Sequence, residues 1–289
     1  MGLNKQYISE LVKKALEEDI GSGDITTNAS IDPLINVKAK IFVKENLVVC
    51  GLNIAKECFK QVDQGLKIKL YCKDGDKVKK NQALLSVQGR AKSILTAERT
   101  VLNFITSLSG IASFTRQFVE EVKKYKVKIL DTRKTMPLLR RLHKYAVATG
   151  GGDNHRMGLW DGVMLKENHL IASKIRKDKE IDIYSLSNLI KNIKKVFRKP
   201  VEVEVESKRE FVQVAKCRPD IVLLDNFSPL TLKDCVRIRD KHYPKIKLEA
   251  SGGINLKNIA NYARSGIDYI SLGCLTHSFR NKDISLDII

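Results

Sequence analysis

From residue 125 onward the chain repeats one rhythm, in which short apolar runs each close on polar residues or glycine: "KVKILDTRK", "GVMLKENH", "VEVEVES", "IVLLDNF", "KLEASGG" and "YISLGCLT". Amphipathic segments such as "LSNLIKNIKKVF", "REFVQVAKC" and "LKNIANYARSG" separate most of them. Apolar strands alternating with amphipathic helices predict parallel β-strands joined by crossover helices, here a closed or nearly closed α/β barrel. Such a barrel carries its chemistry at the C-terminal ends of its strands. The candidate residues are therefore those that end the runs: Arg133, Lys134, Lys166, Glu204, Glu206, Asp225, Ser251, Gly252, Gly253 and Gly273.

The N-terminal part reads differently. In "YISELVKKALEEDI", Ile8, Leu11, Val12, Ala15 and Leu16 fall on one face at 3.6-residue spacing, predicting a helix over 7–20 closed by Gly21. From Lys38 to Gln88, short alternating runs and glycine turns predict a small sheet domain. Residues 93 to 124 predict one or two long helices linking it to the barrel. A chain of 289 residues, 43% hydrophobic, is long enough for one large domain or two of ordinary size. The boundaries expected are 1–115 for the sheet domain with its linking helix, 116–275 for the barrel, and 276–289 for a tail returning to the first domain.

Several function classes are disfavoured. No run approaches 18 apolar residues and no secretory leader pattern opens the chain, so a soluble cytoplasmic protein without membrane contact is expected. The six cysteines form no Cys-x-x-Cys pair and read as reduced core residues rather than zinc ligands. "DGDKVKKNQALLSVQG" resembles a biotinyl or lipoyl carrier hairpin but lacks the lysine at a tight turn. The net charge of +19 favours anionic partners. Many of its lysines sit at helical spacing, as in "KNIKKVFRK", without an RNA-binding aromatic signature, so no nucleic-acid partner is expected.

The strand ends carry anion-binding chemistry. "EASGGINLKNI" places two glycines between an apolar strand and a helix start, where backbone N–H groups can cradle phosphate. "SLGCLT" repeats the arrangement one strand later, at the usual phosphate position of barrels. "VEVEVES" puts Val201, Val203 and Val205 on one face and Glu202, Glu204 and Glu206 on the other. Carboxylates roughly 7 Å apart repel by about 2 kcal/mol at an effective dielectric of 20. They call for lysine, arginine or Mg²⁺, and Asp225 can join a metal's shell. Arg133 can grip a carboxylate bidentately and Lys134 can sit against phosphate, whereas Arg140, Arg141 and Lys144 read as surface charge. "TGGGDNHRMG" lacks the strand and helix context of a dinucleotide fingerprint. With no nucleophile motif in the chain, catalysis by charge stabilisation of a polyphosphorylated, carboxylated substrate is expected.

The motifs "EEDIGSGDITT", "AERTVLNF", "DTRKTMPLLR", "KYAVATGGGDNHRMGLWDGVMLKENH", "EVEVES", "LLDNF", "EASGGI" and "ISLGCLTH", in order from about residue 17 to 278, resemble the quinolinate phosphoribosyltransferase family. The resemblance implies an N-terminal α/β sandwich domain and an incomplete TIM-like α/β barrel of fewer than eight strands. It also implies phosphoribosyl transfer from phosphoribosyl pyrophosphate to quinolinate with decarboxylation, Mg²⁺ as cofactor, and a homodimer or larger assembly in which Arg99 completes the neighbouring site. By the same resemblance, Arg133, His155, Arg156 and Thr132 hold the quinolinate carboxylates, with Lys166 near both substrates. Lys134, Glu204, Asp225, Ser251, Gly252, Gly253, Gly273 and His277 surround phosphoribosyl pyrophosphate. Lys134, Lys166, Glu204 and Asp225 are then the catalytic set, with Glu204 and Asp225 holding Mg²⁺ directly or through water and the pyrophosphate. Glu202 is the less certain glutamate, and the "RKDKE" segment, residues 176–180, reads as peripheral.

Overall fold

A computed structural model describes residues 2–177 and 180–289, so Asp178 and Lys179 of the "RKDKE" segment lie outside the described residues. Two compact units emerge, one of residues 1–116, 136–151 and 275–289, the other of 117–135 and 152–274. The segment Met136–Gly151, read from sequence as part of the barrel, therefore packs with the N-terminal unit.

In the first unit the opening helix spans Lys5–Ile20, with Asn4 capping its start through the Gln6 amide and the Gly21 amide donating back to Glu17. A four-stranded antiparallel sheet carries, in order, Ile284–Ile288, Asn36–Val43, Ala83–Arg90 and Lys67–Leu70. The C-terminal strand pairs with Asn36–Val43 from Ala39↔Ile288 to Val43↔Ile284, fixing the chain's end in the N-terminal unit's sheet. One continuous helix covers Ala91–Val122. The Thr96 and Thr100 hydroxyls donate to Asp24 and Asp19, both at 3.0 Å, tying the "EEDIGSGDITT" and "AERT" motifs together.

The helix Arg140–Thr149 buries His143 and Lys144, the latter fully, because its apolar face turns inward with them. The expectation that Lys144 is surface charge is thereby corrected, while Arg141 is exposed. Gly150 explains part of the triple glycine: a Cβ there would meet the Ala112 carbonyl at 2.5 Å and the Thr115 Cβ at 2.7 Å. Close packing against a helix is its role.

The second unit is built on a six-stranded parallel sheet ordered Lys128–Leu130, Tyr269–Ser271, Lys247–Ser251, Ile221–Asp225, Val201–Val205 and Val163–Leu165. An additional parallel bridge, Leu130↔Asp153, lays residue 153 along the free edge of the first strand. The result is a parallel α/β barrel, as the alternating sequence predicts, and an incomplete one, as the family resemblance implies. Val201, Val203 and Val205 are buried at 0%, 0% and 1% exposure, so a strand with three glutamates is no solvent-facing edge. Helices Ile183–Val196 and Lys208–Lys216 fall where the amphipathic segments predict them, and Pro229–His242 adds a further crossover. Four cysteines, Cys50, Cys58, Cys217 and Cys235, are buried and all six are free.

Candidate active site

Strand order decides which run-ending residues become neighbours. Glu204 registers beside Leu223, and Asp225 beside Ser251. Lys166, one residue past the strand Val163–Leu165, forms an ion pair with Glu204. Burial raises the Asp225 carboxyl above its ordinary pKa, the Glu204 charge raises it further, and Lys166 and Lys134 oppose that rise. Lys134, Lys166, Glu204, Asp225 and Ser251 thus share one neighbourhood at the C-terminal strand ends. Two acids held against each other among cations make this a candidate functional site.

Thr132, Arg133 and Lys134 leave the strand Lys128–Leu130 toward the same end. Thr132 Oγ1 accepts from the Lys134 amide at 3.1 Å, shaping the turn. Arg133 Nε is buried without a hydrogen-bond partner. An orphaned guanidinium donor is costly, and a ligand carboxylate would satisfy it. Arg156 lies near Arg133: burial and then the Arg133 charge lower its pKa, partly offset by Glu202. Arg156 also donates to the Gly162 carbonyl at 3.0 Å and contacts the Met164 sulfur at 3.6 Å.

His155 belongs to a deeper layer. Asp131, fully buried, accepts from the His155 amide at 2.9 Å and from Asn154 Nδ2 at 2.7 Å, fixing this segment beside the first barrel strand. The ring turns Nε2 toward Glu202 at 3.1 Å and Glu249 at 3.4 Å. Burial works against a charged ring, but hydrogen bonds to Glu202 and Glu249 and their charges outweigh it, raising His155 to about 10. The Arg156 amide pulls the other way, since it donates to Nδ1 at 2.7 Å and a second ring proton there would meet it. Nε2 carries a proton in either form, so the ring donates to the carboxylates whatever its charge. Glu202 is raised by burial and by Glu249, against His155 and Arg156.

Glu249 joins Glu202 in this layer without being singled out as a strand end, while Glu206 turns to another partner, although its charge still helps to raise Asp225. Glu206 pairs with Arg176 at 2.8 Å, as do Glu210 at 2.7 Å and Glu167 at 3.1 Å. Arg176 is 7% exposed, so this part of the segment read as peripheral is a buried ionic centre. Glu249 carried a usable signal: it is the one acid inside the apolar run "KLEAS", two residues before Ser251 and hence on the same strand face.

The glycine loops are partly as expected. Gly252, at φ 92°, packs so closely that a Cβ would lie 2.1 Å from Asn226 Oδ1 and 2.6 Å from its Cγ. The next helix begins only at Ile259, so the anion cradle read from sequence is a loop and not a helix start. Gly273 precedes a single turn, Cys274–His277. Arg99 and His277 belong to the first unit, both exposed, and His277 Nδ1 lies 2.7 Å from Ser278 Oγ.

A cavity of about 360 Å³ lies toward the opposite, N-terminal ends of the strands, lined among others by Lys128, Ile221 and Tyr269 and reaching His155, Arg156, Glu202 and Glu249. It does not include Lys134, Lys166, Glu204 or Asp225. The converging charges mark the candidate centre at the strand ends, and Arg156, near Arg133, belongs to that centre and to the cavity wall alike.

Among known proteins, residues 24–109 match the N-terminal domain and residues 111–287 the C-terminal domain of quinolinate phosphoribosyl transferase. A probable nicotinate-nucleotide pyrophosphorylase [carboxylating] of Methanocaldococcus jannaschii is 40% identical, over 99% of this chain and 98% of its own. The nicotinate-nucleotide pyrophosphorylase [carboxylating] of Mycobacterium leprae is 38% identical over 96% of each. The crystal structure of the Ehrlichia chaffeensis nicotinate-nucleotide pyrophosphorylase superposes with a TM-score of 0.90 at 42% identity, covering 100% of both chains. With both domain types present in order, this chain belongs to the quinolinate phosphoribosyl transferase family.

Proposed function

We infer that the protein transfers the phosphoribosyl group of phosphoribosyl pyrophosphate to quinolinate and releases CO₂, giving nicotinate mononucleotide and pyrophosphate for NAD biosynthesis. Family membership carries the reaction, and the observation that carries the site is the convergence of Lys134, Lys166, Glu204 and Asp225 at the strand ends. Beside them, the orphaned Arg133 Nε and nearby Arg156 supply the cations that a dicarboxylate requires.

In the mechanism supported by this arrangement, Arg133 and Arg156 bind the quinolinate carboxylates and present the ring nitrogen to the sugar. Lys134 stabilises the departing pyrophosphate. Glu204 and Asp225 face the positive charge that develops on the ribose as the bond to pyrophosphate breaks. The ring nitrogen then forms the new bond to the anomeric carbon, and the ring becomes a cation. Loss of the 2-carboxylate as CO₂ leaves its electron pair on the carbon beside that nitrogen, where a proton replaces it. Decarboxylation therefore follows bond formation.

The donor set fits Mg²⁺, which prefers one or two carboxylates together with substrate phosphate oxygens. Glu204 and Asp225 would hold it, and it would neutralise charge on the pyrophosphate. The loop Ser251 to Gly253, Gly273 and His277 are proposed to receive the phosphates, and Thr132 to shape the carboxylate pocket. Arg99, exposed on its long helix, is proposed to complete the site of a second copy in a cytoplasmic homodimer or larger assembly.

The test is direct. Purified protein with quinolinate, phosphoribosyl pyrophosphate and Mg²⁺ should release CO₂ and pyrophosphate in equal amounts with nicotinate mononucleotide. Turnover of nicotinate without CO₂ would instead assign a monocarboxylate enzyme. Mixing Arg99→Ala with Lys166→Ala protein should restore activity if the arginine acts across subunits.

A further inference from the structure

The buried Glu202 and Glu249, with the half-buried His155 ring that faces them, are left without a task by the chemistry above. Glu249 is 1% exposed; its Oε2 faces only the His155 ring, at 3.4 Å, and its Oε1 lacks a hydrogen-bond partner, as does Glu202 Oε1. One donor atom from each of the three residues falls within 4.8 Å of the others, which is compact enough for a metal ion. The histidine argues otherwise. Its Nδ1 accepts from the Arg156 amide at 2.7 Å, so the ring proton sits on Nε2, the nitrogen that faces the carboxylates. A metal there would need a bare lone pair.

We propose that Glu249, acting with Glu202, is a positioning residue for quinolinate binding, bracing the Nε2–H of His155 so that the following residue, Arg156, is held at the carboxylate site. This rests on the functional reading above. Three anchors bear on one short segment: Asp131 takes the His155 amide and the Asn154 side chain, the two glutamates take the ring, and the ring in turn takes the Arg156 amide. Arg156 stands close to Arg133, and two like charges in a half-buried site separate unless the backbone beneath them is fixed. The glutamates also supply counter-charge from below while the dicarboxylate is absent. Glu249 contributes from the middle of the strand Lys247–Ser251, a rigid element, whereas its own strand end, Ser251, is on the phosphoribosyl pyrophosphate side. The same strand would serve both substrates through two residues of one face.

The experiment measures steady-state constants for both substrates in the full chain. Glu249→Ala should raise KM for quinolinate at least tenfold and leave KM for phosphoribosyl pyrophosphate within twofold. Glu249→Gln keeps an acceptor of the same shape and should return the quinolinate KM to within threefold of wild type. If Glu249→Ala is insoluble, Glu249→Asp, which withdraws the acceptor by one methylene, carries the same expectation. An unchanged quinolinate KM, or equal increases for both substrates, overturns the proposal. So does about one equivalent of zinc that survives chelation in wild type and is lost in Glu249→Ala, because the trio would then be a metal site. A wild-type protein that fails to turn over quinolinate at all would refute the functional reading instead, before any variant is compared.

Discussion

In the N-terminal unit, Asp24 and Asp63 sit among donors. Asp24 caps the helix Ile25–Ser30 through the Thr27 amide and accepts from Thr96, and these hydrogen bonds lower its pKa. Asp63 accepts from Arg90 at 2.8 Å, Ser93 at 2.9 Å and the Gly65 amide at 2.8 Å, and the Arg90 hydrogen bond leads in lowering it to about 2. In the barrel unit, Asp225 and Glu202 are instead raised, by burial first and then by a neighbouring acid. The first pair has found its partners inside the chain. The second has partners too weak to offset its burial and its neighbouring acid, Glu202 the His155 ring and Asp225 the Asn226 side-chain amide, an arrangement that costs stability and pays for itself only when a ligand supplies the charge.

The sharpest way to break this contrast is to remove a cation from the barrel cluster. Lys166→Ala should lower kcat by roughly 10²–10³-fold, about 3–4 kcal/mol, as for loss of one preorganised electrostatic contact. A loss below tenfold would place the Lys166–Glu204 pair outside the chemistry. Next, Arg133→Ala should raise KM for quinolinate roughly 100-fold, about 2–3 kcal/mol for a lost charge-assisted contact. Phosphoribosyl pyrophosphate should be affected within twofold, and equal losses for both would reassign the residue.

A smaller effect concerns the loop itself. Gly252→Ala places a Cβ at 2.1 Å from Asn226 Oδ1 on a backbone with φ 92°. Strain and overpacking together should destabilise the protein by about 1–3 kcal/mol, read as a lower Tm. An unchanged Tm would show that Asn226 yields freely.

The smallest effect sharpens the comparison from the N-terminal side. Because the folded pKa of Asp63 is lowered to about 2 from an ordinary 3.8, its contribution is complete above pH 3.8 and disappears as pH falls through 2. Asp63→Asn should flatten the acid end of the stability curve between those limits in a urea titration. The raised barrel acids act in the opposite sense: their ionisation opposes folding, so relieving it by Glu202→Gln should stabilise the neutral-pH protein relative to acid. A shallower acid loss in Glu202→Gln than in wild type would contradict the assignment.

Much of this was legible in the chain. The alternation of apolar runs with amphipathic segments predicts the parallel barrel, because strand and helix burial impose periods of 2 and 3.6 on any sequence. Run-ending residues point to Lys134, Lys166, Glu204 and Asp225, since a parallel strand delivers its last residue to a known end. The motif pairing of Asp19 with Thr100 and Asp24 with Thr96 was beyond reach, as partners 81 and 72 residues apart meet only through packing.

The glutamates of "VEVEVES" mark the boundary between the two kinds of information. Their alternation with valine is local and fixes that all three face away from the buried valine side. What each glutamate meets is not local: Glu204 finds Lys166, Glu202 finds His155, and Glu206 finds Arg176. Period-2 geometry sets a side chain's direction from its neighbours in sequence, whereas its charge partner depends on which distant strands the sheet brings alongside. The sequence alone determined the barrel, the family and the face on which charge gathers. Only the tertiary structure decided which of those charges meet and, through the burial of Glu249 behind His155, which lie beneath them.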